Sequence, residues 1–154
     1  MNFMSTQYQG TPEETLALDT YIKMIRAAES VTYQVNRKLS DLNLTLSQFG
    51  VLEAIYHLGP MHQNKLADKI LKSTGNMTMV IDNLQKRGLV SRDRDANDRR
   101  CILVSLTAEG RTLIADYFPT HVSLVVQAFE TLSESERKTL GVLLKQVGLA
   151  NAGQ

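Results

Sequence analysis

Between His62 and Gly110 the hydrophobic pattern changes period, and that change restricts the folds open to this chain. In HQNKLADKIL, Leu66, Ile70 and Leu71 recur at helical spacing, and Lys72-Ser73-Thr74-Gly75 interrupts them. A second helix follows, with Ser73 or Thr74 as its N-cap. Its apolar stripe is Met77, Val80, Ile81 and Leu84, and Gly88 ends it where a left-handed residue costs little. Beyond Gly88, LVSRDR and CILVSL are β-branched and aliphatic, and Asp95-Ala96-Asn97-Asp98 between them favours a turn. A helix, a turn, a second helix and then a hairpin predict a winged helix.

Charge gathers on the same stretch. From His62 to Arg100 nine basic residues stand against five acidic ones, a surplus of four. The remainder holds eight basic against eleven acidic, a deficit of three, so the overall net charge of +1 conceals a polarised molecule. A basic unit of this architecture fits the major groove of double-stranded DNA. At about 100° per residue, the second helix turns Gly75, Met79, Asp82 and Lys86 away from its apolar stripe, flanked by Asn76, Thr78, Asn83 and Gln85. Amides pair with adenine, hydroxyls bond bases or phosphates, and a methyl-bearing side chain meets thymine. Arginine at the hairpin tip suits the narrow, negative minor groove of A·T-rich DNA. Asp98, two residues before Arg100, is close enough to hold its guanidinium. This reading assigns Lys65, Lys72, Lys86 and Arg94 to phosphates. Ser73, Thr74, Asn76, Thr78 and Asn83 go to the major groove, and Asp98, Arg99 and Arg100 to the wing.

The flanks are helical. Residues 1–11 carry no periodic pattern and are expected to be flexible. Thr11-Pro12-Glu13-Glu14 marks a helix start, and apolar residues then recur from Leu18 to Leu42, a rod of roughly 45 Å, too long for a domain this size to cover from one side. Thr45-Leu46-Ser47-Gln48 opens another helix, with Leu46, Phe49, Leu52, Ile55, Tyr56 and Leu58 inward, and Gly59-Pro60 closes it. Thr107 caps a helix whose stripe from Leu113 to Phe129 contains Pro119, expected to kink or break it. Ser133-Glu134-Ser135-Glu136 opens the last helix, with Leu140, Leu143, Leu144 and Val147 on one side. The expected organisation is mainly α with a small β-hairpin wing. A winged helix-turn-helix at 45–107 is flanked by long helices at 12–42 and 108–150 that pair with a second copy in a homodimer.

The motif Gly88-Leu89-Val90, seven residues, Asp98-Arg99-Arg100, six residues, Thr107-Ala108-Glu109-Gly110 resembles the signature of the MarR family of bacterial regulators. KSTGNMTMVIDNLQKRGLV is similar to that family's recognition helix, and the likeness runs from about Thr11 to Leu149. The resemblance implies a homodimer that binds a pseudo-palindromic operator, acts as a repressor, and is released by a small molecule or an oxidant. It also implies that Asp98 and Arg100 are the aspartate and arginine of the wing, Arg100 entering the minor groove. An effector pocket between the long helices and the winged helix is implied as well, with Tyr21, Met24, Tyr33, Phe49, His57 and Tyr117 as candidate lining residues and a small aromatic or phenolic compound as the matching ligand. Many members carry arginine where this chain has Met79 and Asn83.

Other chemistry finds no support. No phosphate loop, nucleophile elbow or paired carboxylates occur, so no catalytic residue is assigned and an enzyme is not expected. His57, His62 and His121 are scattered, so neither a metal nor another cofactor is expected. Cys101, the single cysteine, stands beside Arg99 and Arg100, whose charge would lower its pKa if they face it; the plainer reading is core filler. No apolar run reaches the roughly 20 residues of a membrane span, and the first ten residues lack a signal-peptide pattern, so a cytoplasmic protein is expected. The alternatives are an architectural DNA-binding protein without an effector, and a winged-helix protein-interaction module.

Overall fold

The structure, a computed structural model, describes residues 5–70 and 74–152. Two compact units divide the chain. One holds Asn36–His121; the other takes in the segments before and after it.

In the central unit, α2 (Leu46–Leu58) starts at the expected capping box. The Thr45 hydroxyl accepts from the Gln48 amide at 3.2 Å, and the Gln48 side chain accepts from the Thr45 amide at 2.9 Å. Before it, Leu39–Leu42 forms a 3-10 turn closed by Asn43 in the left-handed region. The short helix α3 (Gln63–Lys69) precedes α4 (Thr74–Lys86). Gly88, at φ 69°, ends α4 with a paired closure: its own amide donates to Gln85 O and the Leu89 amide to Leu84 O, at 2.9 and 3.0 Å.

The expected hairpin forms from β2 (Val90–Arg94) and β3 (Ile102–Leu106), antiparallel with Val90 opposite Leu106 and Arg94 opposite Ile102. A further strand, β1 (Met61–His62), pairs with the other edge of β3, giving the order β1-β3-β2. Two residues are too few to carry a period of two, so sequence could not announce β1.

Thr107 then fastens the wing to α5 (Ala108–Ala128). Its hydroxyl donates to Gly88 O at 2.6 Å and accepts from the Gly110 amide at 3.0 Å. A Cβ on Gly110 would stand 1.9 Å from Leu89 O, so the close approach of α5 to the wing root requires glycine there.

Sixteen buried apolar residues form one cluster in this unit, with Phe49, Leu52, Ile55, Leu66, Ile81 and Val104 at its centre. Met77, Ile81 and Leu84 of α4 are buried and Val80 half-buried, as their spacing predicts. On α2 the expected stripe is narrower: Leu46 and Leu58 are exposed at the helix ends, and Val51 is buried instead.

The other unit is built differently. α1 (Pro12–Asn36) begins at Thr11, whose side chain and that of Glu14 cap each other's amides at 3.2 and 2.8 Å. It stops at Asn36, short of the expected Leu42. The Thr6 amide donates to the Asp19 carboxylate at 2.6 Å, which ties part of the segment expected to be flexible to α1. The last turns of α5 belong here. Pro119 neither ends nor breaks that helix, although its missing N–H removes one rung; Ile114, Tyr117 and Leu124 are buried on either side of it. α6 (Glu134–Asn151) starts at the Ser133–Glu136 box, whose hydrogen bonds hold the Glu136 carboxyl below its ordinary range. Among the described residues of this unit, only Val35 and Leu124 are buried apolar side chains. No described helix is long and apolar enough to cross a membrane.

Candidate nucleic-acid interface

α4 presents the residues expected at a groove. Gly75, Asn76, Thr78, Met79, Asn83 and Lys86 are exposed along it, opposite buried Met77, Ile81 and Leu84. Thr74 is its first residue. Lys72 and Ser73, and the side chain of Thr74, lie outside the described residues. α3 is held against this helix by a hydrogen bond of 2.8 Å from the Gln63 amide nitrogen to the Thr78 hydroxyl, and exposed Lys65 lies on α3.

The wing tip is organised by its two aspartates. Asp95 accepts from the Asn97 amide at 2.8 Å and meets His62 Nε2 at 2.6 Å. The Asn97 amide, then His62, hold the Asp95 carboxyl below its ordinary value. Asp98 accepts from the Arg100 amide and from Arg100 Nε, both at 3.1 Å, as expected from the spacing. Arg100 Nη2 also donates to the second Asp98 oxygen at 3.4 Å, yet the side chain remains 91% exposed. Arg94 and Arg99 are exposed beside it.

Not all of the positive charge faces outward. Arg87 donates to Asn43 O at 2.5 Å and Leu42 O at 2.9 Å, closing the carbonyl end of the 3-10 turn. Arg92, on β2, donates to Gln85 Oε1 at 2.8 Å and pairs with Asp82, both on α4. The wing and α4 are therefore joined by side chains, so their spacing is set by the fold. Arg92 has this role, while His62 holds the wing tip, Gln63 ties α3 to α4 and Arg87 holds the 3-10 turn; sequence reading missed all four because each partner lies 7 to 45 residues away.

Cys101 corrects an expectation. Burial raises its thiol pKa, and the Asp98 carboxylate 3.7 Å from Sγ raises it further; Arg100 opposes them weakly. The thiol is thus kept protonated and poorly nucleophilic.

The residues considered for an effector are spread over both units. Tyr21 and Tyr33 are exposed on α1, and Met24 is half-buried there. In the central unit Phe49 and Tyr117 meet edge to face at 5.7 Å, while His57 lies 4.5 Å from Phe118. Tyr117 also lines an open cleft of about 670 Å³ with Leu42, Thr112, Leu113, Asp116 and Thr120. Its hydroxyl has no hydrogen-bond partner among the described residues, and burial raises its pKa.

Comparison with known proteins places this geometry. A sequence model of the MarR family matches residues 44–102. The HTH-type transcriptional regulator MhqR of Bacillus subtilis (strain 168) is 34% identical over 138 residues, 90% of this chain and 94% of that protein. Among solved structures, a MarR mutant from E. coli complexed with operator DNA superposes with a TM-score of 0.76 at 28% identity, covering 90% of this chain and 99% of that one. Bordetella bronchiseptica BpsR, described for regulation of its DNA binding by 6-hydroxynicotinic acid, gives a TM-score of 0.75 at 26% identity, covering 84% and 98%.

Proposed function

This chain belongs to the MarR family of transcriptional regulators, and from that premise we propose that it is a cytoplasmic repressor. In this reading it binds a pseudo-palindromic operator as a homodimer and leaves it when a small aromatic molecule binds. The carrying observation is the state of α6, an 18-residue capped helix with no buried residue, on which Leu143, Leu144 and Val147 are all about half exposed. An apolar face of that length calls for a partner, and a second copy supplies an identical face around a two-fold axis.

Pairing serves the reading of DNA. One α4 spans only a few base pairs, whereas two, about one helical turn of DNA apart, multiply specificity. Arg99 and Arg100 then serve the minor groove, and Lys65, Lys72, Lys86 and Arg94 the phosphates. Of the six residues considered for the effector, Tyr117 is the one that lines the open cleft of about 670 Å³, with its hydroxyl buried and unpaired among the described residues.

Selection of bound sequences from random duplexes tests this. A palindromic consensus bound two chains to one duplex is the expected result, with release by a phenolic acid or quinone from a small panel. Equal affinity for random and selected duplexes would replace the reading by architectural binding. Salt-insensitive association with a protein and none with DNA would replace it by an interaction module.

A further inference from the structure

Two polar groups on the outward side of α4 are already engaged within the fold. Arg92 pairs with the Asp82 carboxylate and takes the Gln85 amide oxygen at 2.8 Å. That pairing removes an uncompensated negative charge from a surface that would face phosphates. What stands at the centre of the face, one turn apart, is Gly75 and Met79.

Neither is explained by the fold. α4 holds two methionines: Met77 is fully buried in the core, and Met79 is 59% exposed. Gly75 has nothing within 4 Å of where a Cβ would stand and has no positive φ. Gly88 and Gly110, by contrast, are required by conformation and by close approach. A lone exposed methionine needs no explanation, but this one sits in the middle of the surface offered to a groove, where the thymine C5-methyl is the apolar group on a base edge.

We propose that Met79 is a specificity-determining residue that reads a thymine methyl in the major groove, with bare Gly75 letting that end of α4 approach the duplex closely. The assignment rests on the reading of this chain as an operator-binding protein. The thioether is unbranched and polarisable, so it can settle against a methyl without a fixed hydrogen-bond geometry. Specificity at that base pair is then a matter of shape and apolar contact, and it is insensitive to salt, unlike the phosphate contacts around it.

The experiment uses the full chain and a duplex enriched from a random pool, with each thymine replaced in turn by deoxyuridine, which removes the methyl and keeps the pairing. Wild-type protein should lose affinity about 3- to 10-fold at one thymine in each half-site. Met79→Ala, exposed and so expected to keep the melting temperature, should bind the thymine duplex more weakly and be indifferent to uracil at that position. Equal uracil penalties for wild type and Met79→Ala, or no penalty at any thymine, overturn the assignment while leaving operator binding intact. Failure to enrich any duplex overturns both.

Discussion

The Asn36–His121 unit and the terminal-helix unit have similar apolar content and dispose of it in opposite ways. The first gathers sixteen buried apolar side chains into one cluster; the second leaves Leu16, Tyr21, Val142, Leu144 and Leu149 exposed. Each fully buried large aliphatic side chain contributes about 1.5 to 3 kcal/mol, so the central unit carries its own stability. The terminal helices are well capped and otherwise poorly satisfied. Capping boxes settle where a helix begins but leave open what its apolar face meets, and in this chain the two kinds of information come apart.

The sharpest way to break this contrast is a pair of substitutions. Leu52→Ala in the closed core should cost about 2 to 5 kcal/mol, read by denaturant unfolding and independent of protein concentration. Leu144→Asp should leave the near-ultraviolet signature of the central unit unchanged but abolish dimers in sedimentation and weaken operator binding by more than tenfold. If Leu144→Asp proves silent in both assays, the terminal face is not an interface.

Arg100→Ala acts within the closed unit alone. It should cost about 1 to 3 kcal/mol of operator binding at fixed salt and leave assembly unchanged. Gly75→Ala should have effects of opposite sign on two readouts: more stable, by less than the roughly 1 kcal/mol of a helix interior because Gly75 lies in the first turn, since alanine favours the helix and meets nothing in the fold, yet weaker on DNA. Gains in both would remove Gly75 from the interface.

The smallest effect concerns pH. The Asp95 carboxyl is held below its ordinary value of 3.8, so its contribution to the wing is complete above that value and fades as pH falls through its lowered one. Asp95→Asn should therefore flatten the acid limb of the stability profile, followed by urea midpoints at pH 3 and 7. An unaltered limb would mean that the Asn97 and His62 contacts do not persist in solution.

Much of the candidate interface could be read from spacing. The α4 stripe of Met77, Ile81 and Leu84, the Gly88 stop, the hairpin and the Asp98–Arg100 contact are all set by neighbouring residues along the chain, where sequence pattern is a local physical signal. At Pro119 the local rule allows a break, and the helix instead runs on through it from Ala108 to Ala128.

Local chemistry thus settles helix starts, the wing turn and the polarity of charge, since caps, turns and periodicity act over a few residues. The fold alone selects His62 for Asp95, 33 residues away, and Arg87 for the carbonyl of Leu42, 45 residues away. It also places Arg92 with Asp82 and Gln85 on α4, leaving Met79 in the open. Such pairings depend on how the core brings distant segments together, and no pattern along the chain records that distance.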